Sequence, residues 1–152
     1  MTLSETRTPL RQLRRSAPGF QQTFGTPLKD LKRFVATIVS AGRLQGGRLT
    51  IDHVVLEPKH LLDLLKRYSI TPRYERGLSL TAAGQDEAEE LLHAAFSDPM
   101  DFLFVPKPKS FTIYADHDEF TTFYAHTRAN LNRVARALSG QQVKTIQGYE
   151  RL

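Results

Sequence analysis

Residues 102–138 read FLFVPKPKSFTIYADHDEFTTFYAHTRANLNRVARAL. Two short runs rich in aromatic and β-branched residues, 102–105 and 111–115, are joined by Pro106-Lys107-Pro108-Lys109, and the prolines confine that link to an extended connection. A third apolar stretch follows at 120–125. From about Thr127 to Leu138 the spacing becomes helical, with Leu131, Val134, Ala135 and Leu138 on one side and Arg128, Asn132, Arg133 and Arg136 roughly on the other. Strands followed by a helix, with short links between the strands, predict an α+β fold on a largely antiparallel sheet.

Working toward the N-terminus, Asp98-Pro99 breaks the chain and marks a possible subdivision near 98–99. Before it lies a helix expected from Thr81, as cap, through Phe96, with Ala88, Leu91, Leu92, Ala95 and Phe96 facing inward. Asp86, Glu87, Glu89 and Glu90 form its solvated side, where carboxylates in the first turns complement the helix macrodipole. Residues 71–81 alternate around Tyr74, Leu78 and Leu80, with Arg76-Gly77 as a turn. Pro58 opens a helix through Tyr68 carrying Leu61, Leu62, Leu64 and Leu65, and 49–56 reads as a buried strand after Gly46-Gly47. Thr26 as N-cap and Pro27 at the first helical position open a helix that ends at Gly42. Residues 143–146 add an edge strand. No internal repeat is present at the usual periods.

The expected architecture is therefore one mixed domain over 27–152, about four helices on a small sheet, preceded by a basic, extended and flexible arm over 1–26. In that arm Leu3, Leu10, Leu13, Phe20 and Phe24 are scattered among polar residues and bury too little to offset the entropy of ordering. The chain has 152 residues, 40% hydrophobic and 24% charged, which fits one globular core. No apolar run is long enough to span a bilayer and no signal core is present, which predicts a cytoplasmic protein. The absence of cysteine excludes disulfides, a thiol nucleophile and cysteine–zinc sites.

The net charge of +5 is localised. Residues 1–33 contain Arg7, Arg11, Arg14, Arg15, Lys29, Lys32 and Arg33 against Glu5 and Asp30, and beyond them basic and acidic residues balance. Arginines with Phe20 and Phe24 behind them suit phosphate neutralisation and base stacking, although an acidic protein surface or an anionic membrane would attract the same arm. The stripe of Arg128, Arg133 and Arg136 extends the footprint.

Residues 58–84 add a further pattern. The 58–68 helix, a hairpin bearing Arg73 and Arg76, and Leu78-Ser79-Leu80-Thr81-Ala82-Ala83-Gly84 leading into a long helix resemble the wing and following helix of winged helix-turn-helix DNA-binding domains, over about 40 residues. The resemblance implies a groove-reading helix with Lys59, His60, Lys66 and Arg67 as contacts and Arg73 and Arg76 on the wing. The helix departs from the family in being leucine-rich on much of its circumference, with few side chains suited to bases.

The densest chemistry lies at Asp116-His117-Asp118-Glu119, flanked by Tyr114 and Phe120 and followed by Thr121, Thr122, Tyr124 and His126. Carboxylates with an imidazole suit a hard or borderline divalent ion, with Asp116, His117, Asp118 and His126 as ligands, or proton exchange with a substrate through Asp116, His117, Asp118 or Glu119. Only a turn lets all four of 116–119 converge, because alternate residues of a strand face opposite ways. The same loop, through Asp116, Asp118, Glu119, Phe120 and Tyr124, would suit a basic cleft on a protein partner. Glu57-x-x-His60 and Glu90-x-x-His93 have the spacing of di-iron bundle ligands, but the strands oppose a bundle and Pro58 leaves Glu57 at the helix cap. No phosphate loop, dinucleotide fingerprint or Gly-x-Ser-x-Gly elbow occurs. The leading expectation is a non-enzymatic module, without cofactor, that binds nucleic acid or a nucleoprotein assembly. The alternatives are a neutralising or scaffolding domain of inhibitor or immunity type and a small metal-dependent hydrolase.

Overall fold

The computed structural model of the chain describes residues 1–5 and 19–149. In chain order the elements are β1 (Thr2–Glu5), β2 (Phe20–Gly25), a 3-10 turn (Leu28–Asp30), α1 (Leu31–Gly42), β3 (Gly46–Val54), α2 (Lys59–Arg67), β4 (Leu78–Ala83), α3 (Gln85–Ser97), β5 (Met100–Pro106), β6 (Thr112–Asp116), β7 (Phe120–Ala125), α4 (Arg128–Ser139) and β8 (Thr145–Ile146). The strands form one eight-stranded sheet in the order β1-β4-β3-β5-β6-β7-β2-β8. Every pairing in it is antiparallel. The mixed α+β class is as expected, but the sheet is not small: strands from both sides of Asp98-Pro99 share it, and it takes in two pieces of the supposed arm. Thr2–Glu5 pairs with β4, and Phe20–Gly25 lies between β7 and β8. The part of 1–26 that holds Arg7, Arg11, Arg14 and Arg15 lies outside the described residues.

The helices pack on one face of the sheet in the order α2, α3, α1, α4. Their apolar stripes meet the inward residues of the strands, and Phe24, Phe34, Ile38, Leu49, Ile51, Leu61, Leu91, Phe102, Phe104, Phe123 and Val134 are buried together in one core. Edge-on aromatic pairs run through it, Phe34 to Phe96 at 5.5 Å and Phe96 to Phe102 at 5.1 Å between ring centres, a geometry favoured by the ring quadrupoles. The opposite face presents a row of short polar side chains with Leu103 and Tyr114 among them. Thr50 bonds Ser79 at 2.8 Å and Thr23 bonds Thr122 at 2.7 Å between hydroxyl oxygens. Such cross-strand hydroxyl pairs satisfy buried polar groups and fix register.

Three local expectations are corrected. Thr26 does not cap α1: its hydroxyl bonds that of Thr121 at 2.6 Å, and a 3-10 turn precedes the helix. Thr81 does not cap α3 but lies within β4, because Leu78, Leu80 and Ala82 alternate into the core and the helix starts only after Gly84. Residues 71–75 form no strand, so Arg73 and Arg76 do not stand on a two-stranded wing. β4 is instead part of the large sheet. α4 is capped as its sequence suggests, with Thr127 Oγ accepting from the Asn130 amide at 3.1 Å. Among the described residues no helix is long and apolar enough to cross a membrane.

Candidate functional site

The bulge after Ile51 in β3 and the pairing of β5 with β6 bring three buried aspartates, Asp52, Asp101 and Asp116, onto neighbouring strands. Each has a defined partner. Asp52 receives the Tyr114 hydroxyl and an Arg76 contact at 3.3 Å. Asp101 accepts the His117 backbone N–H at 2.7 Å and stands 2.7 Å from Nδ1 of the same residue. Asp116 accepts the Asp118 amide at 2.6 Å and the Tyr149 hydroxyl. The turn from Asp116 to Phe120 closes through Glu119, in the left-handed region at φ 69°, whose carbonyl accepts the Thr26 amide at 2.7 Å. Tyr149 also packs on Phe120 with 4.7 Å between rings.

Asp116, His117 and Asp118 therefore converge as a turn allows, with Asp118 Oδ1 3.5 Å from His117 Nε2. Glu119 contributes its backbone and an exposed carboxylate. His126 does not join them. It follows the far end of β7, about 20 Å from the turn at the rise of an extended strand. Tyr124, expected to meet a protein partner, is buried on the helix-free face, which leaves the exposed Asp118 and Glu119 as the reachable part of that set.

Asp101 was not singled out from the sequence. Its signal is its place in the alternation of β5, where it shares a face with Leu103 and Val105 while Met100, Phe102 and Phe104 face the core. Asp116 and His117 also line a cleft of about 250 Å³ between the C-terminal end of α3 and the β6–β7 turn, with Phe96, Met100 and Phe102 below.

Asp101, hydrogen-bonded to the ring, raises the His117 pKa above its ordinary value, with further help from the charges of Asp101, Asp118 and Asp116 and opposition from burial. The proton is thus bound more tightly in the folded state than in the unfolded chain. Its stabilisation is complete below the unfolded-state pKa and disappears as pH rises through the folded value. The urea midpoint is expected to fall between pH 5.5 and 8.5 by more in the wild type than in His117→Asn. Equal falls would show that His117 does not supply this pH dependence.

The histidines of the two Glu-x-x-His spacings go elsewhere. His60 faces Asp98 at 2.8 Å, His93 is exposed, and Glu90 receives the Tyr68 hydroxyl at 3.2 Å. A wider groove of about 760 Å³ among α1, α2 and α3 is lined by Lys32, His60, Arg67 and His93 together with carboxylates of α2 and α3. The leucines of α2 are turned into the core, with Leu61, Leu64 and Leu65 buried, while Lys59, Lys66 and Arg67 remain exposed.

The basic residues divide into two groups. Arg73 is engaged by Glu5 at 3.0 Å and Glu75 at 3.2 Å, and Arg76 by Asp52. Lys29, Lys32, Arg33, Arg128, Arg133 and Arg136 are exposed on the 3-10 turn and on α1 and α4, which pack against each other. Those two helices contain five basic residues and no carboxylate. Lys32, Arg33 and Arg128 stand in first turns, where a positive charge opposes the helix macrodipole. Arg128 lies 5.3 Å above the Phe20 ring. No family model matches the chain, and no match is found among curated proteins or solved structures.

Proposed function

We propose that the protein is a binding module for a polyanion, nucleic acid first, and that the α1–α4 face is its contact surface. The observation that carries this reading is the charge of the two helices: five cations and no carboxylate within α1 and α4, although Lys32 lines the groove with carboxylates of α2 and α3 and Asp30 precedes α1. Ordinary amphipathicity needs a polar outer face but has no requirement for a single sign. Arg7, Arg11, Arg14 and Arg15, which lie outside the described residues, add positive charge to the chain in this reading. Arg73 and Arg76, held by acidic partners, contribute little.

Affinity that comes from phosphate neutralisation falls linearly on logarithmic axes with salt, by about 0.9 units of slope per phosphate on duplex DNA. Fluorescence anisotropy with duplex DNA, single-stranded DNA and RNA across a potassium chloride series measures that slope. Combined Arg128→Ala, Arg133→Ala and Arg136→Ala is expected to reduce the slope on duplex DNA by about 2 to 3 units, whereas Arg73→Ala leaves it unchanged. These side chains are exposed, so the variant keeps its core. An unchanged slope would remove α4 from the surface, and absence of binding at low salt would end the nucleic-acid reading. Truncation at Thr26 is unsuitable because it deletes β1 and β2. Substituting Arg7, Arg11, Arg14 and Arg15 by serine tests that segment instead.

A further inference from the structure

We propose that Asp101, Asp116 and His117 form a binding site for a divalent cation of borderline hardness, such as Mn²⁺ or Zn²⁺. One donor atom from each of the three lies within 4.8 Å of the others. A single ion therefore fits between them at ordinary coordination distances after side-chain adjustments of a few tenths of an ångström. Two carboxylate oxygens and one imidazole nitrogen are the donors such ions accept, whereas Mg²⁺ and Ca²⁺ favour oxygen alone.

Strand register supplies an independent reason. The pairing Phe102 with Ala115 places Asp101 and Asp116 opposite each other one step beyond the hydrogen-bonded ladder. Both side chains are buried. Like charges directly opposite across antiparallel strands are destabilising, and burial makes their repulsion harder to screen. A positive charge between them resolves the conflict.

His117 stands beside the pair with Nδ1 at 2.7 Å from Asp101, while the Asp118 amide and the Tyr149 hydroxyl bond Asp116. A divalent ion held by the three donors would offset the charge of both carboxylates at once. The exposed ring of His117 opens the site to solvent. Rigid strands fix both carboxylates, so little ordering is required on binding.

The test uses chelator-treated full-length protein and no nucleic acid, so its result is independent of the polyanion reading. Manganese chloride is added to ¹⁵N-labelled protein, and paramagnetic broadening of amide signals is followed. The expected result is broadening that begins at 101–102 and 115–118, together with a one-to-one zinc chloride isotherm by calorimetry. His117→Ala is expected to weaken the zinc Kd by about tenfold or more, and because His117 is exposed the variant leaves no new cavity. Asp101→Asn is used only if its circular dichroism matches the wild type, since that side chain also holds the turn. Broadening centred on the acidic flank of α3, no broadening at a tenfold excess of manganese, or an unchanged zinc Kd in His117→Ala would each overturn the proposal.

Discussion

Asp98→Ala is expected to lower the free energy of unfolding by about 3 kcal/mol, with most of the loss arising at the start of α2. That helix begins after Pro58, which has no side-chain cap, so its first amides need an outside acceptor. Asp98 supplies it from beyond α3, accepting the His60 amide at 3.1 Å and the Leu61 amide at 2.8 Å. Its side chain is only 2% exposed, so alanine would leave those donors in a place water reaches poorly. Hydrogen bonds to a charged acceptor contribute about 1.5–3 kcal/mol each and a lost cap about 1 kcal/mol, and because they share one carboxylate they do not add. Urea denaturation followed by far-ultraviolet circular dichroism measures the loss, and Asp98→Asn, which keeps one acceptor oxygen, is expected to lose about half as much. A loss under about 1 kcal/mol for the alanine variant would mean that Asp98 does not hold the helix.

The same residue shows where the sequence stops being legible. The periodic stripes of α1, α3 and α4 and the strands around Phe102, Ile113 and Phe123 can be read locally, because each buries one continuous face. β1 and β2 cannot. Phe20–Gly25 places Gln21 and Thr23 on the outer face and has few apolar residues of its own, and only its pairing with β7, some hundred positions on, makes it a strand. Thr81 has the side chain of a helix cap ahead of an apolar helical spacing, yet cross-strand partners on both sides decided its state.

The candidate site divides in the same way. The 116–119 turn is visible from composition alone, since few turns collect four ionisable groups. Asp101 enters only through the adjacency of β5 and β6, and His126 leaves only because a strand carries it away from the turn. The charge pattern is also partly hidden. Arg73 and Arg76 look like free cations along the chain, but Glu5 and Asp52, distant in sequence, hold them. The single-signed α1–α4 pair could be suspected one helix at a time, but becomes a surface only when the helices are seen to touch.

Gly47→Ala is expected to destabilise the protein by about 3 kcal/mol, a large effect for one added methyl group. Gly46 and Gly47 read as a spacer ahead of a strand, but they are the first residues of β3, paired with Ala83 and Ala82 on one side and, for Gly47, with Pro106 on the other. Gly46 adopts φ 145°, and a Cβ there would stand 2.5 Å from the Ala82 carbonyl oxygen. At Gly47 the obstacle is the Phe104 ring: a Cβ would meet Cζ and stand 2.8 Å from Cε2. Phe104 is fully buried in the core, so the ring has no empty space to enter. Replacing glycine by alanine removes backbone freedom from the unfolded chain and by itself stabilises by about 0.4–1 kcal/mol, which is smaller than the overpacking cost. Phe104→Leu in the Gly47→Ala background should relieve the clash, so a double-mutant cycle is expected to show favourable coupling between the two positions. If Gly47→Ala alone proves neutral or stabilising, the entropy gain has won and the Phe104 ring is not fixed over β3.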